Sequence, residues 1–185
     1  MVTLARTSKK DQILASAIEI IGEDGIHAVT YDRLAETTGL SKSGLIYHFP
    51  SRHALLRDIH TYGAARWESE LEDYAGGRKA DELTPPQRLR ALLSSLAKND
   101  PLAELLMSIH AQTDPEYSAP WESVSLRWGP APAAAIANDA DLTELIALIM
   151  GEGLWIHDHI TETKLSADNR AKLIEFMLSQ LPEEN

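Results

Sequence analysis

Hydrophobic residues recur at helical spacing along almost the whole chain, and no stretch alternates apolar and polar residues for long enough to indicate a strand. The first helical pattern runs from Lys9 to Asp24 and ends at Gly25, which predicts a helix with one broad apolar face. The pattern as a whole predicts an all-α protein.

Two short helices are predicted after the first. Thr30 is suited to cap a helix that ends near Thr38, and Ser41 is suited to cap a third helix that runs to about His48. Between them, Gly39 tolerates a positive φ and so permits a tight turn. The side chains that we expect to face the core are Leu34, Ala35, Leu40, Leu45, Ile46 and Phe49.

Longer helices are predicted for the rest of the chain. A fourth runs from residue 51 or 52 to about Tyr74, before a pair of glycines. A fifth begins after Thr84, because a threonine cap, proline at the first helical position and Gln87 together mark a helix start. Further helices are expected at about 101–112, 115–138 with an interruption at 129–132, 142–163 and 167–181.

The composition indicates a folded globular protein. Of 185 residues, 44% are hydrophobic and 24% are charged, which is too apolar for a disordered chain. The sequence contains no run of about eighteen apolar residues and no apolar N-terminal stretch of the secretory kind. We therefore expect a cytoplasmic protein with no membrane contact. The absence of cysteine excludes disulfides, thiolate metal ligands and a cysteine nucleophile.

The charge is distributed unevenly along the chain. The net charge is −11, yet residues 1 to 60 hold seven basic and seven acidic side chains, against ten and twenty-one in the remainder. Contacts to phosphate depend on nearby cations and backbone amides, because salt screens distant charges over about 10 Å at 0.1 M. The N-terminal part can therefore approach nucleic acid although the whole chain is acidic, and the two parts are expected to have different partners.

Residues 30 to 48 have the features of a helix-turn-helix, in which a short helix supports a second helix that enters the major groove of DNA. Small polar residues and one cation, Ser41-Lys42-Ser43-Gly44, begin the second helix and permit close approach to the DNA backbone. Tyr47 and His48 follow at its far end, where sugar and phosphate lie. The segment is thus expected to bind double-stranded DNA.

The same segment resembles the DNA-binding domain of the TetR family. The resemblance is carried by Leu34-Ala35, by Gly39-Leu40-Ser41 and by the run from Ser43 to Phe49. It implies a three-helix DNA-binding head (residues 1–50) and a larger helical body for ligand binding and dimerisation (residues 51–185). It also implies a homodimer on palindromic operator DNA that represses transcription until a small-molecule effector binds.

The resemblance also assigns DNA contacts to particular residues. Arg52 stands where the family commonly has lysine and can still pair with phosphate, whereas His53 replaces a residue that is often acidic. Arg6, Lys9 and Lys10 are expected to add phosphate contacts. The positions that match the family's DNA contacts are Thr30, Tyr31, Ser41, Lys42, Ser43, Gly44, Tyr47, His48 and Arg52.

The acidic body contains four tryptophans, and we expect some of them to line an effector site. Aromatic walls, an adaptable methionine and a carboxylate suit a flat, lipophilic cation. The body also resembles that of TetR-type regulators of multidrug efflux in length and tryptophan placement. The alternative is that the tryptophans are core residues, above all Trp128, and that the acids are a solvated surface. The residues assigned to the site are Trp67, Glu104, Met107, His110, Asp114, Trp121 and Trp155.

Two further patterns in the body leave alternatives open. His157 and His159 point about 200° apart on one helix, which argues against a metal site, and nothing else in the sequence indicates a metal or a cofactor. The apolar sides of the last two helices suit either a dimer bundle or an intramolecular core. The apolar residues concerned are those of 142–150 together with Leu173, Ile174, Phe176, Met177, Leu178 and Leu181.

Two other functional classes are weaker. An enzyme would pair His110 or His157 with Asp114 or Asp158, but the sequence has no phosphate-binding glycine loop, no Gly-x-Ser-x-Gly and no His-Glu-x-x-His. A protein-binding module that has lost DNA binding is opposed by the intact 41–48 segment. A DNA-binding regulator that is not an enzyme is therefore the prediction.

Overall fold

The computed structural model describes residues 8–98, 102–130 and 136–181, and in these ranges the chain is helical without a strand. The predicted all-α fold is confirmed. None of the helices in the described ranges is both long enough and apolar enough to cross a bilayer. The helices are α1 (Lys9–Asp24), α2 (Tyr31–Thr38), α3 (Lys42–His48), α4 (Arg52–Tyr74), α5 (Pro85–Leu96), α6 (Leu102–Ala111), α7 (Pro115–Trp128), α8 (Asp139–Ile160) and α9 (Ala167–Ser179).

Helix α5 starts where the sequence indicates, with the Thr84 N–H donating to Gln87 Oε1 at 3.2 Å. An interruption at 129–132 was predicted within the helix expected over 115–138, and α7 ends there, at Trp128. Gly129 closes its last turn, and Pro130 has no N–H with which to extend it. The part of that prediction that falls on residues 131–135 lies outside the described ranges.

Helix α8 begins three residues before the predicted start. Asn138 accepts a hydrogen bond from the Asp141 N–H through its side-chain oxygen at 3.1 Å, which satisfies a free donor of the first turn. The helix ends at Ile160 rather than at residue 163. The Asn138 cap, directly before Asp139, therefore accounts for the earlier start.

The chain divides into two compact units, and the division falls within α4 and within α7. The first unit comprises Met1–Ala65 and Pro101–Trp121. Its core combines apolar side chains of the first four helices with Ala103, Met107 and Ala111 of α6 and Tyr117 of α7. The N-terminal helices and α6 thus share one hydrophobic core. The predicted functional boundary after residue 50 stays a prediction.

The second unit comprises Arg66–Asp100 and Glu122–Asn185, and α8 packs there against α5 and α9. Gly151 permits this approach, since a Cβ at that position would lie 2.7 Å from Leu93 Cδ2. A buried ion pair joins α8 to α9, with Arg170 Nη2 donating to Asp158 Oδ2 at 2.8 Å. Trp128 is fully buried in this unit, which confirms its expected place in the core.

Candidate nucleic-acid interface

The turn between α2 and α3 is set by three local features. Thr30 Oγ1 accepts from the Arg33 N–H at 3.2 Å and caps α2. Gly39 ends α2 in the left-handed region, with φ 69°, and its N–H donates to Ala35 O. Ser41 Oγ then accepts from the Gly44 N–H at 3.1 Å and caps α3. All three were predicted from residue type, and all three are confirmed.

The inner side of α3 is anchored by buried side chains of the first unit. Leu34, Leu45 and Phe49 are fully buried. The Tyr31 hydroxyl donates to the Phe49 carbonyl oxygen at 2.6 Å and so fastens the start of α2 to the end of α3. Burial also raises the pKa of Tyr31, so this hydroxyl stays protonated and remains a donor. The Tyr31 hydroxyl is thus committed to a contact inside the protein.

The outer side of α3 is open to solvent. Lys42 and Ser43 are exposed, and Tyr47 is the most exposed large side chain of the helix at 85%. The expectation that Ile46 faces inward is wrong, because 44% of its surface is exposed. Leu45 is the buried side chain of this two-turn helix, and Ile46 lies about 100° around the helix from it. Ile46 therefore adds an apolar group to the exposed face.

Three of the cations predicted to contact DNA, Lys10, Lys42 and Arg52, are engaged in ion pairs or hydrogen bonds. Lys42 Nζ lies 2.9 and 3.0 Å from the two carboxylate oxygens of Asp32. Lys10 Nζ pairs with Asp58 Oδ2 at 2.6 Å, and Arg52 Nη2 donates to the Ile26 carbonyl oxygen at 3.4 Å. Arg6 lies outside the described residues. Lys42 must exchange a carboxylate for a phosphate if it is to contact DNA, and sequence reasoning missed this acidic neighbour.

Five of the residues predicted to bind an effector belong to the first unit, and four of them are close together. Met107 and Trp121 meet over Gly63, where a Cβ would lie 2.7 Å from Met107 Cε and 3.0 Å from Trp121 Cζ2. Asp114 Oδ2 lies 3.0 Å from His53 Nε2, and His110 is part of a histidine chain with Trp121. Glu104 lies on the same helix as Met107.

The other two predicted effector residues lie in the second unit. Trp67 Nε1 donates to Ser95 Oγ at 3.3 Å, and Ser95 in turn donates to Glu70 Oε1. Trp155 is half-buried on α8. The assignment of Trp67 and Trp155 to an effector site stays a prediction.

Sequence reasoning missed His60, which is fully buried at the centre of the first unit's polar chain. Trp121 Nε1 donates to His60 Nδ1 at 3.1 Å, and His60 Nε2 lies 3.0 Å from His110 Nδ1. Tyr117 stacks near both imidazoles, with ring centroids 5.1 Å from His60 and 5.2 Å from His110. The available signal was a histidine one position after Ile59 on the apolar side of α4.

Two family models match the chain. One, described as bacterial regulatory proteins of the tetR family, matches residues 13–59, and the other, described as a tetracyclin repressor-like C-terminal domain, matches residues 86–182. The second match alone covers more than half of the chain. The chain belongs to the TetR family. Members of this family are DNA-binding transcriptional regulators, and the chain is not an enzyme.

Individual TetR-family relatives match parts of the chain. RutR from Escherichia coli K12 is 36% identical over 75 residues, which are 38% of this chain and 35% of RutR. The transcriptional repressor AcnR from Corynebacterium efficiens is 25% identical over 135 residues, 72% of this chain and 67% of AcnR. The chain thus spans about a third of RutR and two thirds of AcnR.

A solved structure supports the fold over nearly the full length. A candidate transcriptional regulator from Saccharomonospora viridis, solved in complex with choline, has a TM-score of 0.71 and 20% identity to this chain. The match covers 93% of this chain and 96% of that one. At this identity the likeness shows a shared fold.

No group of three or more histidine, cysteine or acidic side chains placed to hold a metal occurs among the described residues of this TetR-family chain. Asp158, one of the two carboxylates weighed for a catalytic site, is bound to Arg170 and to the Leu165 N–H. The hydrogen bond from Arg170, followed by the one from the Leu165 N–H, keeps the pKa of Asp158 below its usual range. This carboxylate serves to join α8 to α9.

The different settings of Tyr31 and Tyr47 can be tested with matched substitutions. Tyr31→Phe removes a hydrogen bond between half-buried groups and should lower the free energy of unfolding by about 1 kcal/mol. Tyr47→Phe removes a hydroxyl that faces solvent and should leave stability within about 0.5 kcal/mol of wild type. Urea denaturation followed by circular dichroism measures both. Equal stability of the two variants would show that the Tyr31 hydroxyl does not fasten α2 to α3.

Proposed function

We propose that this TetR-family regulator is a repressor that binds palindromic operator DNA as a homodimer, and that a small lipophilic cation releases it. The observation that carries the DNA-binding part is the exposed face of α3. Tyr47, Lys42 and Ser43 project from a helix whose opposite side is fixed by the buried Leu45. A helix anchored on one side and polar on the other suits the major groove.

The DNA contacts that we propose are made mainly to phosphates, and Tyr47 is the residue proposed to reach a base edge. Lys42, His48 and Arg52 would contact phosphates together with the Ser41 and Ser43 hydroxyls and the Thr30 region. Tyr47 is placed to reach a phosphate or a base edge. Tyr31 is proposed to act through its backbone or ring edge, since its hydroxyl bonds to Phe49. Gly44 permits close approach of the helix to the DNA backbone.

Exposed apolar side chains on the last two helices support the homodimer. They recur at helical spacing on one side of α8, and Phe176 on α9 is 56% exposed, whereas Ile174 and Met177 of the same helix are buried. The buried side of α9 therefore belongs to an intramolecular core, and its exposed apolar side is the one available for a dimer bundle. An apolar stripe of this kind is typical of an interface, and a second copy satisfies the symmetry of a palindromic operator. The exposed residues are Leu142, Ile146, Ile149, Met150, Ile160, Leu173 and Phe176.

The aromatic and acidic side chains of the first unit support a cationic effector. Trp121 is half-buried and offers an aromatic ring, the buried Tyr117 lies behind it on the same helix, and Asp114 is a carboxylate whose pKa is lowered by the Glu116 N–H and by His53. The structural neighbour from Saccharomonospora viridis was solved with choline, a quaternary ammonium cation. Cation–π attraction is the interaction that would recognise such a ligand.

The energy that effector release requires is within reach of these contacts. A hundredfold change in operator affinity needs about 2.7 kcal/mol of coupling between the two sites. Aromatic and cation–π contacts contribute roughly 0.5 to 2 kcal/mol each. Met107 and Tyr117 are buried, so an effector that contacts them must displace side chains. That displacement supplies the difference between the two conformations that release requires.

DNA binding is tested with two substitutions on a duplex selected from a random-sequence pool. Tyr47→Ala should weaken binding about tenfold, which is about 1.4 kcal/mol, and leave the helical circular-dichroism signal unchanged. Lys42→Ala should reduce the slope of log affinity against log salt by about one, because one counterion fewer is released. Lys172→Ala, an exposed lysine of α9, is the matched control. An unchanged slope for Lys42→Ala would remove Lys42 from the interface.

Dimerisation is tested by placing a charge on the exposed stripe. Ile149→Glu and Phe176→Glu should each shift the protein from dimer to monomer at micromolar concentration, since an unpaired carboxylate is costly in an apolar interface. Leu126→Glu alters an exposed leucine of α7 outside the stripe and should leave the dimer intact. Sedimentation velocity measures all three. A wild-type monomer under these conditions would contradict the homodimer.

The effector class is tested by titrating tryptophan fluorescence with three probes. Choline and benzyltrimethylammonium should bind and release the selected duplex, whereas dimethylbutanol, the uncharged isostere of choline, should do neither. Asp114→Asn should weaken cation binding by up to about fivefold, the range of an exposed charge pair. Glu162→Gln, at an exposed acid of the second unit, should have no effect. Binding and release by the uncharged probe alone would show that the cationic effector is wrong.

A further inference from the structure

The hydrogen-bond chain through His60 fixes the protonation of two histidines. An indole N–H only donates, so His60 Nδ1 must accept from Trp121 and carries no proton. A neutral His60 then has its proton on Nε2 and donates it to His110 Nδ1. His110 in turn must be the tautomer with its proton on Nε2. Three side chains from α4, α6 and α7 are thus joined by two directed hydrogen bonds.

The hydrogen-bond chain from Trp121 through His60 to His110 cannot accept one more proton. A proton on His110 Nδ1 meets the N–H of His60, and a proton on His60 Nδ1 meets the N–H of Trp121. If His60 changes tautomer to accept from His110, its proton moves to Nδ1 and again opposes Trp121. Every singly protonated form therefore has two donors facing each other, and at least one of the two hydrogen bonds breaks.

The surroundings of the pair also disfavour a positive charge. Burial and then the neighbouring His110 lower the pKa of His60 to about 4. The pKa of His110 is lowered by burial, then by Arg52 of α4 and by His27 of the short turn Ile26–Ala28 between α1 and α2. Asp114 acts in the opposite direction. Tyr117 of α7 faces both rings, and burial keeps its phenol neutral by raising its pKa. Both histidines are therefore neutral at pH 7.

The histidine chain adjoins the core that supports the DNA-binding helix. Ile59, which precedes His60, is fully buried in the core that also contains Leu45 and Leu55. Tyr117 and Met107 belong to the same core from the other side of the histidine chain. A break between Trp121 and His60 therefore loosens the packing of α4 against α6 and α7 within the first unit.

We propose that the His60–His110 pair is a proton-binding site through which acid weakens operator binding. This inference rests on the proposed DNA-binding function. While the hydrogen bonds through His60 are intact, the pKa of His60 lies below the ordinary histidine value. Protons therefore favour the form in which one of these hydrogen bonds is broken, as the pH falls through about 6.5 towards 4. If His60 has the ordinary histidine pKa once the hydrogen bond is broken, the ratio of the broken to the intact form rises by up to about thirtyfold at pH 5.

The test uses the whole protein and a non-titrating variant. His60→Gln keeps one acceptor and one donor but binds no proton in this range. Operator affinity is measured for wild type and for His60→Gln at pH 7.5 and pH 5. Wild type should lose about tenfold more affinity than the variant, and the comparison removes the pH effects of every other group. His157→Gln, at a histidine of the second unit, should follow wild type. Because His60 is buried, His110→Gln is made as a second non-titrating variant.

Histidine tautomers provide a readout that does not involve DNA. Nitrogen NMR at pH 7.5 should show both His60 and His110 with the proton on Nε2, and the Trp121 indole N–H signal should shift as the pair titrates below pH 6.5. A proton on His60 Nδ1 at pH 7.5 would overturn the proposal, as would equal pH dependence of operator binding in wild type and both variants. If the folded protein binds no duplex at pH 7.5, the proposed function itself fails and the proton effect on DNA fails with it.

Discussion

A seven-residue helix does not hold its shape alone in water, and the proposed DNA-binding face depends on the interactions that hold α3. The Ser41 cap satisfies its first turn, Leu45 buries its inner side, and the Tyr31 hydroxyl binds the carbonyl that follows it. Each fully buried leucine contributes about 1.5–3 kcal/mol. The exposed position of Tyr47 is a consequence of these contacts on the opposite side of the helix.

Features that depend on neighbouring residues could be predicted from the sequence. The caps at Thr30 and Ser41, the left-handed Gly39 and the start of α5 each follow from the chemistry of three or four consecutive residues. Ile46 could not be placed, because a two-turn helix has too few positions for its apolar period to fix the angle of a second side chain. His60 could not be assigned either, since its partners come from 50 and 61 residues further along the chain.

An acidic side chain lies on the proposed DNA-binding face itself. Asp32 binds the ammonium of Lys42, the one cation at the start of α3, and both side chains are exposed. A phosphate must compete with this carboxylate, so non-specific attraction to DNA is weaker than the number of cations suggests. The excess of acid in the rest of the chain acts in the same direction at low salt. Binding is then expected to depend more on the fit of α3 to one sequence.

The first unit carries the proposed DNA-binding helix and most of the proposed effector residues on one hydrophobic core. One hydrophobic cluster contains Leu45 of α3, Ile59, which precedes His60, and Met107 and Tyr117, which lie near Trp121. Close-packed cores do not deform continuously, so displacement of one side chain requires its neighbours to repack. The proposed ligand against Trp121 and the proposed proton on His60 would therefore act on the same packing. Both would reach α3 without a separate pathway, because the helix that carries His60 begins four residues after α3 ends.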